Sequence, residues 1–73
     1  MNIILKFNSE TERKDFMDMI KINNPDLLSK FDYNHAFPIL NATKLSSDDK
    51  SWICNNIKPF GEIFEDIDFK TLL

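Results

Sequence analysis

Several residue types are scarce in this chain of 73 residues, and each shortage excludes certain kinds of bond or functional site. The single cysteine, Cys54, excludes an internal disulfide and a zinc site built from several cysteines. The single histidine, His35, lacks a neighbouring nucleophile motif, so we interpret it as a solvated turn residue. The single arginine, Arg13, is the only side chain able to offer a guanidinium fork. We therefore expect no catalytic residue, no cofactor and no metal site.

Targeting signals are also missing from the sequence. The chain opens directly on a short apolar run, without a charged leader, and no apolar stretch is long enough to cross a bilayer. Together with the lone cysteine, this predicts a cytoplasmic protein without a membrane partner. Valine and glutamine are absent while isoleucine, asparagine and lysine are frequent, a bias typical of AT-rich genomes such as those of many phages.

The charge balance narrows the choice of partner. Nine basic residues against twelve acidic ones give a net charge of -3, and the lysines do not form a basic stripe. Phosphate binding needs clustered positive charge, so nucleic acid is an unlikely partner. With 42% hydrophobic residues, the chain has the composition of one small globular domain spanning residues 1–73.

The first half of the chain begins with a strand and a helix. Residues 2–7 alternate in polarity like a strand whose second face is partly covered. Ser9 and Glu12 have the spacing of a capping box, and the apolar residues that follow predict a helix over 10–22. We expect Pro25 to block its continuation.

A hairpin is the predicted continuation of the chain. Alternating polarity favours a strand over 28–33, a turn at Asn34 and His35, and a partner strand over 37–45. The aromatic residues of this hairpin resemble the stacking platform of an RNA-binding sheet. Because the glycine-rich, basic surroundings of such a platform are missing, we favour core packing or a protein contact.

A second helix and a last strand complete the pattern. Residues 46–49, Ser-Ser-Asp-Asp, form an N-cap cluster, which predicts a helix over 47–57. Gly61 suits a turn or bulge with positive φ. A strand is predicted over 62–69, and because apolar residues occupy both of its faces, the pattern leaves open which face points to the core. The carboxylates of this strand are interpreted as a solvated edge, with cation binding as the less favoured alternative.

The element order predicts an α+β domain of ferredoxin-like βαββαβ type, with an antiparallel sheet and two helices on one face. Such an arrangement leaves the other face of the sheet uncovered. In so small a protein, an uncovered face that carries apolar side chains is a candidate contact surface for a partner.

The sequence resembles the subtilisin-propeptide family, whose stand-alone members are small cytosolic inhibitors of subtilisin-like serine proteases. The similar stretches are Ile-Leu-Lys-Phe at 4–7, Ala-Thr-Lys-Leu-Ser at 42–46, Ser-Asp-Asp-Lys at 47–50 and Phe-Glu-Asp-Ile-Asp at 64–68. The resemblance implies that the uncovered sheet face docks on the protease and that the C-terminal tail enters the substrate cleft as an extended strand, with Leu73 in the main specificity pocket.

These considerations predict a small protein-binding module that inhibits or modulates an enzyme. The residues assigned to partner contact are Phe37, Phe69, Lys70, Thr71, Leu72 and Leu73. A phage-type protein that blocks a host enzyme or defence complex remains an alternative, as does a ferredoxin-like domain that binds nucleic acid or a small ligand. A homodimer through the sheet face is also open.

Overall fold

The computed structural model describes residues 2–34 and 38–66, which form an α+β arrangement with a four-stranded antiparallel sheet. The elements of these residues are β1 (Ile3–Phe7), α1 (Glu10–Asn23), α2 (Pro25–Leu28), β2 (Asp32–Asn34), β3 (Ile39–Ala42), α3 (Ser47–Asn56) and β4 (Gly61–Glu65). The α+β class predicted from the sequence is confirmed.

The sheet has the strand order β2-β3-β1-β4, and each neighbouring pair is antiparallel. Strand β1 therefore lies in the interior of the sheet, between β3 and β4. Its register places Leu5 opposite Leu40 on one side and Ile63 on the other. Residues paired in this way point to the same face, whereas their chain neighbours point to the opposite face.

The described helices pack on one face of the sheet, which we call the first face. One buried cluster joins the sheet residues Ile3, Leu5, Phe7 and Leu40 to side chains from each helix. The helical members of this cluster are Phe16 and Ile20 of α1, Leu27 of α2 and Ile53 of α3, with Ile57 at the end of α3. Alternation along β1 and β3 directs the remaining side chains to the opposite side, which we call the second face.

Aromatic rings form the centre of the core on the first face. Phe16 is fully buried, and its ring centroid lies 5.5 Å from that of Phe7, 5.4 Å from Phe60 and 6.0 Å from Trp52. The tilted ring pairs fall within the distance range of favourable aromatic contacts. Phe60 follows Pro59, so the apolar side chains that α3 packs against the core continue past its last turn.

Both predicted N-caps are present, in different forms. Ser46 and Asp49 form a complete capping box at the start of α3. At α1, the Ser9 hydroxyl accepts a hydrogen bond from the Glu12 amide, but the Glu12 carboxylate accepts from the Ser9 hydroxyl rather than from the Ser9 amide. Helix α1 thus begins at the predicted residue, with one of the two hydrogen bonds of a capping box, the bond from the Glu12 amide to the Ser9 hydroxyl.

The region around Pro25 differs from its prediction. The strand predicted over 28–33 is wrong for most of its length, because Pro25 starts the short helix α2 instead of only ending α1. A proline is well suited to the first turn of a helix, where its missing amide donor is not needed. Leu27 is thereby buried in the core, and the strand β2 is reduced to Asp32–Asn34.

The last strand also departs from expectation. Strand β4 ends at Glu65 and is followed by Asp66 with a φ of 55°, whereas residues 67–69 of the predicted strand over 62–69 lie outside the described residues. The register places Ile63 on the first face and Phe64 on the second, which settles the inward face. Gly61 does not have positive φ, so that prediction is wrong.

Close packing of two strands explains the glycine at position 61. Gly61 pairs with Phe7 of β1, and a Cβ atom built on it would approach the Phe7 Cα to 2.7 Å and meet the carbonyl of Lys6. Both obstacles are backbone atoms, which cannot move aside as a flexible side chain can. The glycine is therefore needed for the approach of β4 to β1 rather than for an unusual backbone angle.

Replacing Gly61 by alanine should lower the free energy of unfolding by about 3 kcal/mol, because overpacking against backbone strains the sheet. Urea denaturation followed by circular dichroism would measure this loss. Glu62→Ala, one position away on an exposed residue, is the matched control and should change stability by less than about 0.5 kcal/mol. Equal midpoints for the two variants would contradict the close-packing explanation.

A carboxylate joins the α2–β2 segment to α3. Asp49 Oδ2 lies 2.5 Å from Lys30 Nζ and accepts the Ser46 amide at 3.1 Å. Its side chain is only 13% exposed, so this ion pair is partly shielded from solvent. The Lys30 ammonium, followed by the hydrogen bonds from Ser46, holds the pKa of Asp49 below its ordinary value of 3.8.

Asp49→Asn should destabilise the protein more at pH 6 than at pH 3. A depressed pKa in the folded state means that the carboxylate contributes stability above pH 3.8, and that this contribution is lost as the pH falls through the folded pKa. Urea unfolding at the two pH values would test this difference. Asp48→Asn, at an exposed position in the same helical turn, is the control, and an identical pH dependence for both variants would refute the role of Asp49.

Candidate functional site

The second face of the sheet has an apolar centre on its two interior strands. Ile4 of β1 and Ile39 of β3 point to this side, and they are only 1% and 3% exposed. Phe64 of β4 lies beside Ile4 in the register and is half-buried. The expectation that this face is uncovered is therefore wrong for its central residues. Strands β1 and β3 each contain consecutive apolar residues. Because side chains alternate between the two faces of a sheet, such residues contribute apolar side chains to both faces.

Charged side chains surround this apolar centre. Lys6 and Glu62 are exposed cross-strand neighbours on one side of it, and Asp32 is exposed at the outer strand β2. The opposite charges of Lys6 and Glu62 are favourable when strands place them side by side. An apolar centre within a charged rim is the usual composition of a protein–protein contact surface.

A polar atom is buried at the margin of the centre. Asn41 lies between Ile4 and Asp32 in the register, and its Oδ1 atom is inaccessible without accepting a hydrogen bond. Leaving a carbonyl oxygen buried and unbonded costs about 1–3 kcal/mol.

The residues assigned to partner contact from the sequence cannot be placed on this face. Phe37, Phe69, Lys70, Thr71, Leu72 and Leu73 all lie outside the described residues. The turn predicted at Asn34 and His35 is wrong for Asn34, which is the last residue of β2, and His35 lies outside the described residues. Of the hairpin aromatics, Phe31 and Tyr33 pack against the core of the first face, in agreement with the core-packing interpretation.

The guanidinium of Arg13 has its partners within the fold. Its Nε atom donates to Glu10 Oε1 at 2.6 Å, and its Nη2 atom donates to the same oxygen. The guanidinium carbon lies 3.9 Å from the ring centroid of Tyr33, whose hydroxyl also donates to Glu10 at 2.7 Å. Arg13 is only 8% exposed, so its fork is occupied in attaching α1 to β2 and is closed to an external phosphate.

The surroundings of Tyr33 alter its ionisation. The hydrogen bond from its hydroxyl to Glu10 is the main cause that raises the pKa of Tyr33, and the nearby Arg13 opposes this shift. No sequence motif indicates this cluster, because Tyr33 is 23 residues from Glu10 in the chain. The only local signal is the i,i+3 spacing of Glu10 and Arg13.

An open groove of about 490 Å³ lies along α3 and the loop before it. Lys50 and Cys54 contribute to its lining, together with Leu45 and several serines. Lys50 Nζ is 2.5 Å from Glu65 Oε1, and this contact raises the pKa of Lys50. Cys54 is half-buried. The groove thus holds one free thiol beside a lysine that is already paired.

Neither a group of metal-ligating side chains nor a bilayer-spanning helix is found among the described residues. Within 2–34 and 38–66, no three histidine, cysteine, aspartate or glutamate side chains are grouped closely enough to hold a metal ion. Among these residues, the helices are too short or too polar to cross a bilayer.

Comparison of the chain with protein-family models, with curated proteins and with solved structures yields no match.

A double-mutant cycle should reveal the coupling between Arg13 and Tyr33. Arg13→Met and Tyr33→Leu each remove one partner of the cation–π contact, and we expect a coupling free energy of about 0.5–2 kcal/mol. Chemical denaturation of the two single variants and the double variant measures it. The same cycle with exposed Lys14 in place of Arg13 is the control and should give a coupling near zero. Additive effects in the Arg13 cycle would show that the contact does not stabilise the fold.

Proposed function

We propose that this protein is a small binding module that inhibits or modulates a partner enzyme by occupying it. The observation that carries the proposal is the second face, which lies opposite the described helices and on which the half-buried Phe64 lies among exposed charges of both signs. Surfaces of this composition favour protein partners over small polar ligands. The single arginine is already bound within the fold, which adds to the case against a phosphate-bearing partner.

We infer further that the domain is of the ferredoxin-like, split βαβ type. The strand order β2-β3-β1-β4, with antiparallel neighbours, supports this inference, as does the placement of α1 and α3 on the first face. The short helix α2 is an addition to the expected order. A domain of this type offers one helix-covered face and one face for contact, as the proposed function requires.

The most specific version of the proposal is inhibition of a subtilisin-like serine protease. It rests on the resemblance described above to the subtilisin-propeptide family, in which the tail adds along the substrate cleft as a strand. A tail presented by a folded body loses less conformational entropy on binding than a free peptide does. The broader version is a phage-type protein that blocks a host enzyme or defence complex through the second face.

Steady-state inhibition of subtilisin with a chromogenic peptide substrate tests the specific version. The full chain should inhibit, whereas Leu73→Asp should raise the inhibition constant at least about 30-fold, the effect of losing a 2 kcal/mol anchor. Deleting Leu72 and Leu73 should abolish inhibition and leave the unfolding midpoint unchanged.

The matched control is Ile22→Asp, which makes the same change of side chain at an 80% exposed position of α1. This variant should inhibit as well as the unaltered chain does. A full chain that leaves subtilisin fully active rules out the specific version. The broader version then predicts an enzyme that is captured by the full chain and released when Phe64→Asp alters the second face.

A further inference from the structure

Strand β4 is an edge of the sheet, and its hydrogen-bond pattern shows which of its backbone groups point outward. The Asn8 amide donates to the Phe60 carbonyl at 3.0 Å, and the Asp66 amide donates to the Asn2 carbonyl at 2.7 Å. In an antiparallel pair, every second residue of a strand bonds to its neighbour. The residues of β4 that bond to β1 are therefore even-numbered, and those that face away from β1 are 61, 63 and 65.

The outward groups of β4 form an open row for pairing. The Gly61 amide donates to the Ile57 carbonyl at 2.9 Å, which agrees with its outward direction. Among residues 2–34 and 38–66, no group bonds to the outward amide or carbonyl of Ile63 or of Glu65. A row of such groups on an edge strand is a template on which another strand can be added.

The two edges of the described sheet differ in their protection. The edge strand β2 has three residues, and a very short edge strand is a common defence against unwanted pairing. Strand β4 has five residues, and neither proline nor lysine occurs among them to block or repel another strand. Of the two edges, β4 is therefore the one that can accept a further strand.

The acidic residues of β4 are already balanced by cations of the same chain. Glu65 is paired with Lys50, whose Nζ atom lies 2.5 Å from its Oε1 atom. Glu62 lies directly opposite Lys6 in the register with β1. Because each carboxylate has its own cation nearby, β4 does not require a basic partner strand and can pair with an identical one.

Charge and backbone geometry select one register for two identical β4 strands. A two-fold axis at Glu62 or at Glu65 would place like charges directly opposite each other. An axis at Phe64 would draw Asp66 into the pairing, and the φ of 55° at Asp66 does not fit a strand. An axis at Ile63 pairs the two strands over their full length and places Glu62 opposite Phe64 of the second copy.

We propose that the β4 edge binds a second copy of this chain, so that two four-stranded sheets join into one continuous antiparallel sheet. Each Ile63 amide donates to the Ile63 carbonyl of the other copy, and each Glu65 amide donates to the other Gly61 carbonyl. The half-buried Ile63 side chains meet on the first face at the two-fold axis. The inference does not rest on the proposed function and stands if no enzyme is bound.

Sedimentation equilibrium of the full chain, from about 10 µM to about 1 mM, tests the association. The unaltered protein should approach the mass of a dimer. Ile63→Pro removes the outward amide and leaves the bonds to β1 in place, so it should raise the dissociation constant about 30-fold or more. Ile63→Val is the matched control, because valine has as many carbon atoms as proline but keeps the amide, and it should stay within about threefold of the parent. A monomer at every concentration, or equal constants for the two variants, would overturn the proposal.

Nuclear Overhauser contacts in a mixture of isotope-labelled and unlabelled protein test the register without any substitution, and so remain decisive if the proline variant fails to fold. Opposite residues of a non-hydrogen-bonded antiparallel pair bring their α-protons close together. The expected result is a contact between copies that joins the α-protons of Glu62 and Phe64. Contacts between copies through β2 or the helices, or contacts that place another segment of the same molecule along the β4 edge, would refute the proposed dimer.

Discussion

The burial of β1 on both faces is the constraint on which the rest of the structure depends. Its backbone pairs with β3 on one edge and β4 on the other, so its polar groups are satisfied within the sheet. Ile3, Leu5 and Phe7 pack into the helical core, while Ile4 is buried on the opposite side. A domain of 73 residues has few fully buried positions, and a strand that fills both sides supplies a large share of them.

Polar contacts hold the outer parts of the fold to this centre. Strand β2 has only three residues and pairs with β3 alone among the described strands. Tyr33 ties it to α1 through Arg13 and Glu10, and Lys30 just before it is paired with Asp49 at the start of α3. These contacts use the arginine and one of the lysines for internal cohesion. The guanidinium of Arg13 is therefore not available to a phosphate-bearing partner.

The second face connects this architecture to the proposed function. Its central residues are as inaccessible as the core, although the helices lie on the other side.

Local signals in the sequence predicted much of the fold. The two N-caps and the alternating pattern of β1 depend on neighbours within a few residues, so they can be read from the chain alone. The segment after Pro25 was mispredicted because proline both ends one helix and suits the start of another, and the gain from burying Leu27 decided between them. The predicted contact residues of the tail and Phe37 stay predictions, because they lie outside the described residues.

The sequence by itself determined the α+β class, the beginnings of α1 and α3 and the two-sided apolar character of β1, since all three follow from short-range patterns. Only the tertiary structure decided that Gly61 serves close strand packing, that Arg13 is occupied by Glu10 and Tyr33, and that Ile4 and Ile39 are shielded from water. The physical reason is the same in each case, because these properties arise between residues that are distant in the chain and adjacent only after folding.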